Sequence, residues 1–526
     1  MLKFKVTQDK KFIRLVETTL NQERTALFNF FKRKSKKAAF NVLVDRGIWD
    51  GMDSFITKNG EIAIGLWKEI YNFAERYGYD CEIEGSELFV NPTLSKDLYL
   101  KYVSNLLDGI VDERGYPIVP RDYQVEGAFR AIKYRFCTEE LATSAGKTLI
   151  FYIYNSFLRD GGKINKEKKS LIIVPNVSLV GQTAEKFEMY AKPGKEWNVL
   201  SIGGKEKFTQ EKFDDADVVI STYQSLVNLP IEIFSKFAVV QVDEVHKSKG
   251  NSIRDILLSC INWEYRLGLS GTVKIDEEFS DFFRVQETVG PLVMVLSAKH
   301  LIDNGYSPNI KIEMLRLKYD ENDPQIQKYW HLKSTGKDMY KNPKDFGRDM
   351  LGIEKGIIFE SKERLDFISD LCKKVGKNTL ILFSDVKNGY GKMIQSKLLE
   401  WNHNTFYIDG EVDSVDRDQF KEVLESQNDV IIVASYGTFA TGIDSKNLHH
   451  IILAESIKAE ITLRQAIGRG MRKLAEKNSV TVWDLVDGLD GYSIKHSKVR
   501  EDIYKEQKFE ISKRTVDLVK TNQSNQ

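Results

Sequence analysis

Lys147 is the first residue in this 526-residue chain whose neighbours suggest chemistry. It stands in Thr143-Ser144-Ala145-Gly146-Lys147-Thr148, after a strand-like run and before the apolar, helix-like LIFYIYNSFL. Gly-Lys-Thr at such a junction suits a phosphate. Backbone N–H groups and a helix N-terminus receive the oxygens, the lysine adds a point charge at the β- and γ-phosphates, and the Thr148 hydroxyl can ligate magnesium. Leu141 holds the place of the first glycine of the full pattern, so the tripeptide alone also fits a plain helix start with a lysine beside it. Asp243-Glu244-Val245-His246 directly follows the apolar run AVVQV. At the end of a parallel strand, Asp243 can hold magnesium, Glu244 can orient and deprotonate an attacking water, and His246 can link the site to neighbouring elements. Two acids capping a strand end is the plainer alternative. A third group is Gln465-Ala466-Ile467-Gly468-Arg469-Gly470-Met471-Arg472. Its arginines, three apart, share one helical face and suit either a γ-phosphate clamp or a solvated basic surface.

Something must carry these groups. LIIVP (171–175), VVIST (218–222), AVVQVDE (238–244), TLILFSD (379–385), VIIVAS (430–435), HIILAES (450–456) and TVWDL (481–485) alternate with longer amphipathic stretches. Continuous apolar strands between helices predict parallel sheets covered on both faces, and there are too many for one sheet. The fold expected is α/β: two tandem parallel-sheet domains preceded by a small α+β N-terminal domain. The boundaries are 1–112 for the small domain, 113–297 and 298–492 for the two larger ones, and 493–526 for a charged C-terminal tail. The break between the larger domains is expected in the less regular stretch around residues 275–310.

Composition narrows the class. Hydrophobic residues are 42% and charged residues 29%, which excludes a disordered chain. Lys+Arg is 77 against Asp+Glu 76, which excludes a uniformly basic coat but not a local nucleic-acid surface. Four scattered cysteines without a CxxC pair argue against a zinc ribbon or a disulfide framework. The N-terminus MLKFKVTQDKKFIRL has no apolar core of a signal peptide, and apolar runs are of strand length only. A soluble chain in the cytoplasm, without membrane contact, is expected.

Further segments fall in a telling order. Pro120-Arg121-Asp122-Tyr123-Gln124 precedes the loop, and a Gln amide matches adenine N7 and N6. Ser270-Gly271-Thr272 follows YRLGL, and Ala440-Thr441-Gly442-Ile443-Asp444 follows VIIVAS. With Val174-Pro175-Asn176 and Leu382-Phe383-Ser384, the series resembles motifs Q, I, Ia, II, III, IV, V and VI of superfamily 2 helicases across roughly residues 116–487. TSAGKT, IIVASYGTFATGI, KNLHHIILA, VWDLVD and the N-terminal Gly47-Ile48-Trp49-Asp50-Gly51 are similar to the UvsW-type helicases of T-even bacteriophages. Motif II reads DEVH and motif III SGT, and Ala142 stands where many relatives have proline.

The resemblance implies that the two tandem parallel-sheet domains are RecA-like and that the chain is an ATP-dependent DNA helicase that uses ATP and Mg2+ and translocates 3′ to 5′. It would unwind or branch-migrate branched DNA and R-loops in recombination, repair and replication restart, in a host cytoplasm if phage-encoded. It places Arg121, Gln124, residues 143–148, Gly442 and Asp444 at the nucleotide, Thr148 and Asp243 at the metal, and Asp243, Glu244, Gln465, Arg469 and Arg472 in catalysis. Candidate nucleic-acid contacts are Pro175, Asn176, Thr222, Gln224 and Thr441, short polar groups suited to phosphates. The basic run Lys32, Arg33, Lys34, Lys36 and Lys37 suits duplex phosphates or, alternatively, a solvated loop. Partners expected are branched duplex, single-stranded DNA and R-loops, with recombination or single-strand-binding proteins. A duplex translocase that does not separate strands, and an ATP-gated binding switch with little turnover, remain alternatives.

Overall fold

The computed structural model describes all residues except 19, 114, 204–206, 274–278, 341–342, 410–421, 440–446, 471–478 and 520–526. The apolar runs become strands buried on both faces, as in β10 (Val218–Thr222), where every residue is buried, and β7 (Phe136–Leu141), which carries Thr138, Glu139 and Glu140, is buried throughout as well. The chain divides into two units, Met1–Leu296 and Ser297–Gln526.

In the first unit, β1 (Leu2–Val6), β2 (Phe12–Thr18), β5 (Glu61–Ala63) and β6 (Cys81–Glu84) form a mixed sheet in the order β5-β2-β1-β6. Its pairs are antiparallel apart from the parallel β1–β6 pair. A small hairpin joins β3 (Lys32–Lys34) to β4 (Met52–Ser54). Next comes a seven-stranded, all-parallel sheet of β7, β8 (Lys169–Val174), β9 (Val199–Ile202), β10 (Val218–Thr222), β11 (Phe237–Asp243), β12 (Tyr265–Ser270) and β13 (Leu292–Leu296). Its order is β13-β7-β12-β11-β8-β10-β9.

The N-terminal α+β region and this sheet share one apolar cluster, which runs from Leu2 and Phe31 through Phe136 to Phe283 and Val289. Helix Ser280–Val289 joins them: the Phe283 ring lies 6.2 Å from Phe31 and 5.2 Å from Phe55. Gly65 packs against that helix so closely that a Cβ would lie 2.0 Å from the Gln286 carbonyl oxygen. The stretch 275–310, expected to be irregular, therefore holds a helix, with seven of its ten residues buried, and the edge strand β13.

In the second unit, β14 (Asn309–Lys318), β15 (Thr379–Phe383), β16 (Thr405–Ile408), β17 (Ile431–Ser435), β18 (His450–Leu453), β19 (Ser479–Asp487) and β20 (Glu510–Asp517) form another seven-stranded parallel sheet. Its order is β16-β17-β15-β18-β19-β14-β20. The segment from 493, expected as a tail, instead adds helix Tyr492–Glu506 and edge strand β20, which pairs with β14 over Lys311–Lys318. Two fully buried ion pairs fasten this part. Arg500 pairs with Asp484 at 2.7 and 2.9 Å. Arg364 pairs with Asp487 at 2.6 and 3.1 Å, and Asp487 also accepts from the Tyr319 hydroxyl.

One buried charge has no such partner. The Glu139 carboxyl in β7 is fully buried, and neither oxygen has a hydrogen-bond partner among the described residues. Burial pushes its pKa up to about 8, against the pull of Arg130. The folded protein thus keeps this acid neutral where the unfolded chain ionises it, above about pH 4.3. Its contribution to stability falls as pH rises from there to about 8 and is flat outside that window. Glu139→Gln should raise the urea midpoint more at pH 8 than at pH 5. A difference between variant and parent that does not grow with pH would disprove this reading.

Candidate functional site

Strand order decides which motifs meet. β12 lies between β7 and β11, so the ends of all three strands sit side by side in the first unit. After β7 the chain turns through residues 142–146 into helix Lys147–Asp160. Ser144 (φ +69°) and Gly146 (φ +73°) are left-handed, and this curls the backbone into a concave turn of the kind that presents N–H groups to an anion. Gly146 is required twice, by its φ and by space, since a Cβ would lie 2.4 Å from the Gln124 amide nitrogen.

Lys147, at the start of the helix, reaches across to the end of β11. Its Nζ lies 2.9 Å from Asp243 Oδ1 and 2.6 Å from Glu244 Oε1. Burial alone would lower the lysine pKa, but the two carboxylates outweigh it and hold the ammonium charged. Burial would raise Glu244, yet Lys147 and His246 hold its carboxyl well below the usual range. Burial, helped by the Glu244 charge, pushes Asp243 up against the attraction of Lys147. Glu244 itself is left-handed at φ +53°, a backbone state that costs a non-glycine residue about 1–3 kcal/mol. Its N–H donates to Asp243 Oδ1 at 2.9 Å.

The strand between completes the cluster. The Ser270 hydroxyl, at the end of β12, donates to Glu244 Oε2 at 3.3 Å and lies 2.8 Å from His246 Nδ1. The same ring nitrogen lies 3.2 Å from the Thr272 hydroxyl and 3.3 Å from Glu244 Oε2. His246 is buried, so Glu244 is held from two sides by groups on two strands. A half-buried ammonium, two acids and a curled loop at a helix start form a donor set that fits a nucleotide phosphate with its divalent cation.

The Q-like segment is placed differently from the expectation. Gln124 is buried; its Nε2 donates to the Ala145 carbonyl at 2.8 Å and its Oε1 accepts from the Arg121 N–H at 2.9 Å. One end of the amide braces the loop and the other caps the start of its own helix, so neither is presented as an adenine-matching edge. The Tyr123 hydroxyl, which the sequence did not single out, donates to the same Ala145 carbonyl at 3.0 Å and accepts from Arg121 at 2.7 Å.

The expected nucleic-acid groups are brought together in part. β8 and β10 pair with Val174 opposite Thr222, so Pro175-Asn176 and Tyr223-Gln224 leave the same edge side by side. The Asn176 side chain caps helix Val177–Tyr190 and Thr222 caps the next short turn, while Gln224 is exposed. In the basic run, Lys32, Lys34, Lys36 and Lys37 are exposed. Arg33 is not a free cation: it is half-buried 4.0 Å above the Phe283 ring and donates to the Phe30 and Lys32 carbonyls. In the second unit, Gln465 lies half-buried on helix Glu460–Gly470. Arg469 belongs to that helix by backbone only, and Thr441, Gly442, Asp444 and Arg472 lie outside the described residues. Glu455, also not singled out, is buried and accepts from the Ser384 and Asp385 N–H groups at 2.7 and 2.8 Å, fixing the turn after β15.

Comparison with known proteins agrees with this layout. Residues 118–275 match the family described as type III restriction enzyme, res subunit, and residues 363–473 match the helicase conserved C-terminal domain. The chain is similar to the ATP-dependent DNA helicase uvsW of Enterobacteria phage T4, 29% identical over 520 residues that cover 95% of this chain and 96% of that protein. The crystal structure of T4 UvsW aligns over 98% of this chain and 99% of its own, at 27% identity and a TM-score of 0.48. Dbp5 of S. cerevisiae, bound to RNA and ADP BeF3, covers 84% of this chain and 97% of its own at 15% identity and a TM-score of 0.52, a likeness of fold. Among the described residues, no helix is long and apolar enough to cross a membrane.

Proposed function

This chain belongs to the superfamily 2 helicases and resembles the UvsW type, and from that premise we propose that it unwinds or branch-migrates branched DNA and R-loops in recombination, repair and replication restart. The observation that carries the catalytic part is the half-buried Lys147–Asp243–Glu244 triad, tied through Ser270 to His246. The curled loop 143–146 and Lys147 bind the β- and γ-phosphates, and Thr148 and Asp243 would hold Mg2+. The bound cation supplies charge neutralisation on the phosphate oxygens. Glu244, already ionised and oriented by Ser270 and His246, accepts the proton of the attacking water. Gln124 and Tyr123 keep the loop in shape. The DNA strand is gripped by Pro175, Asn176, Thr222 and Gln224 at the adjacent ends of β8 and β10, and by Lys32, Lys34, Lys36 and Lys37 on the N-terminal region.

ATP turnover and strand displacement should be measured together on forks, four-way junctions, R-loops and plain duplex. Displacement of branched substrates and R-loops ahead of plain duplex is the expected result. DNA-stimulated turnover without displacement of any of them would leave a translocase and overturn the helicase output.

A further inference from the structure

The second unit carries a cavity that none of the helicase motifs accounts for. The C-terminal ends of β14, β19 and β20, three neighbouring strands, frame a space of ≈ 750 Å³. Trp330 lines it, and so do three cations, Arg316, Lys318 and Lys333. The indole is fixed, because its Nε1 donates to the Leu489 carbonyl at 3.2 Å. Lys333 donates to the Asp490 carbonyl. Arg316 meets the Asp490 carboxylate at 3.3 Å and Lys318 meets Glu321 at 3.1 Å, all four side chains being more than half exposed. Ion pairs that exposed are worth about 0–1 kcal/mol, so either cation can exchange its carboxylate for a phosphate at little cost.

Resting on the helicase reading above, we infer that this cavity is a subsite for single-stranded DNA, with a base stacked on Trp330 and flanking phosphates met by Arg316, Lys318 and Lys333. Two observations favour a strand as the occupant. The cations outnumber the carboxylates, three to two, and sit on long side chains around one fixed aromatic face, the arrangement that binds a strand without reading its sequence. Finally, the sheet is wholly parallel, so the cavity opens at the same strand-end edge as Ser384 after β15 and Tyr436 after β17. At about 4.8 Å per strand, β14 lies only about 14 Å from β15 and about 19 Å from β17. A strand lying along that edge can continue into the cavity.

The test uses the full-length chain and a single-stranded oligothymidylate. Stacking of one base predicts that Trp330→Ala weakens binding about 5- to 150-fold, while Trp330→Phe, which keeps a ring, retains most of it. Arg316→Ala with Lys333→Ala should lower the log–log salt slope by about 1.4, at about 0.7 per single-strand phosphate. Thermal melts check that the variants fold. Independently of any variant, irradiation of the parent with a 5-iodouracil-substituted strand should cross-link Trp330, read by mass spectrometry. Unchanged affinity and slope in folded variants, with no adduct at Trp330, would overturn the subsite while leaving the helicase intact. Failure of the parent itself to bind the strand would overturn the helicase reading and this inference with it. Weakened binding of a mononucleotide instead of the strand would make the cavity a small-ligand pocket and also overturn the inference.

Discussion

Glu244→Gln should bind ATP and DNA but turn ATP over about 10²- to 10⁴-fold more slowly, the usual worth of a positioned general base. The amide fills the same space and keeps partners for Lys147 Nζ and the Ser270 hydroxyl, so the fold around the site should survive. What it loses is the charge that accepts a proton. The protein should then accumulate in an ATP-bound form on DNA, seen as slow release from an oligonucleotide in the presence of ATP. Because Lys147 and His246 hold the parent carboxyl well below its usual range, Glu244 is ionised throughout the neutral range. The parent rate should therefore show no acid limb from this group above the ordinary glutamate value of about 4.3. Single-turnover hydrolysis across pH, for parent and variant, checks both points. A variant within a few-fold of the parent would mean that another group takes the proton.

The catalytic cluster was readable because its parts are consecutive residues at strand ends, and a parallel sheet delivers strand ends to one edge. TSAGKT, DEVH and SGT each follow a strand, and the order β7-β12-β11 brings them together. What the sequence does not carry is the direction in which a side chain is used. Gln124 has the right chemistry for an adenine edge, but a helix one turn away from the loop puts its amide on the Ala145 carbonyl. Arg33 sits among five basic residues that read alike, yet only it is drawn under the chain, by the Phe283 ring that lies far away in sequence.

The break between the units, at 296/297, falls in the stretch expected to hold it, but two segments near the expected boundaries were less legible. SDFFRVQETV looked irregular beside Gly290-Pro291, but it is buried because the N-terminal region packs on it, with Gly65 against its backbone. A chain lacking residues 1–112 would expose that helix, so the N-terminal region is part of the first unit's core. EISKRTVD reads as a charged tail because β20 is an edge strand, where charges are tolerated and are in fact paired: Lys513 with Glu501 and Arg514 with Glu313.

Lys147→Ala should abolish ATP turnover, a loss of roughly 10³-fold or more, for two separable reasons. The first is direct: the ammonium is the cation placed for the β- and γ-phosphates, and no other lysine or arginine lies within 4 Å of Asp243 or Glu244 among the described residues. The second is seen only in the structure. Lys147 is also the charge that offsets two adjacent half-buried carboxylates. Without it, Asp243 and Glu244 repel each other, and one of them holds its proton to higher pH than in the parent. Removing one partner from a buried ion pair costs about 3–5 kcal/mol, so the variant should also melt lower, and more so at high pH, where both acids are forced to ionise. DNA binding without ATP should be nearly unchanged, because the strand-end groups at Asn176 and Thr222 do not depend on the lysine. Turnover, nucleotide affinity, DNA affinity and melting temperature at pH 6 and 9 separate the two effects. Lost turnover with an unchanged melting curve at both pH values would remove the charge-balancing role and leave the phosphate contact. Normal turnover would mean that residues 143–148 are not the nucleotide loop.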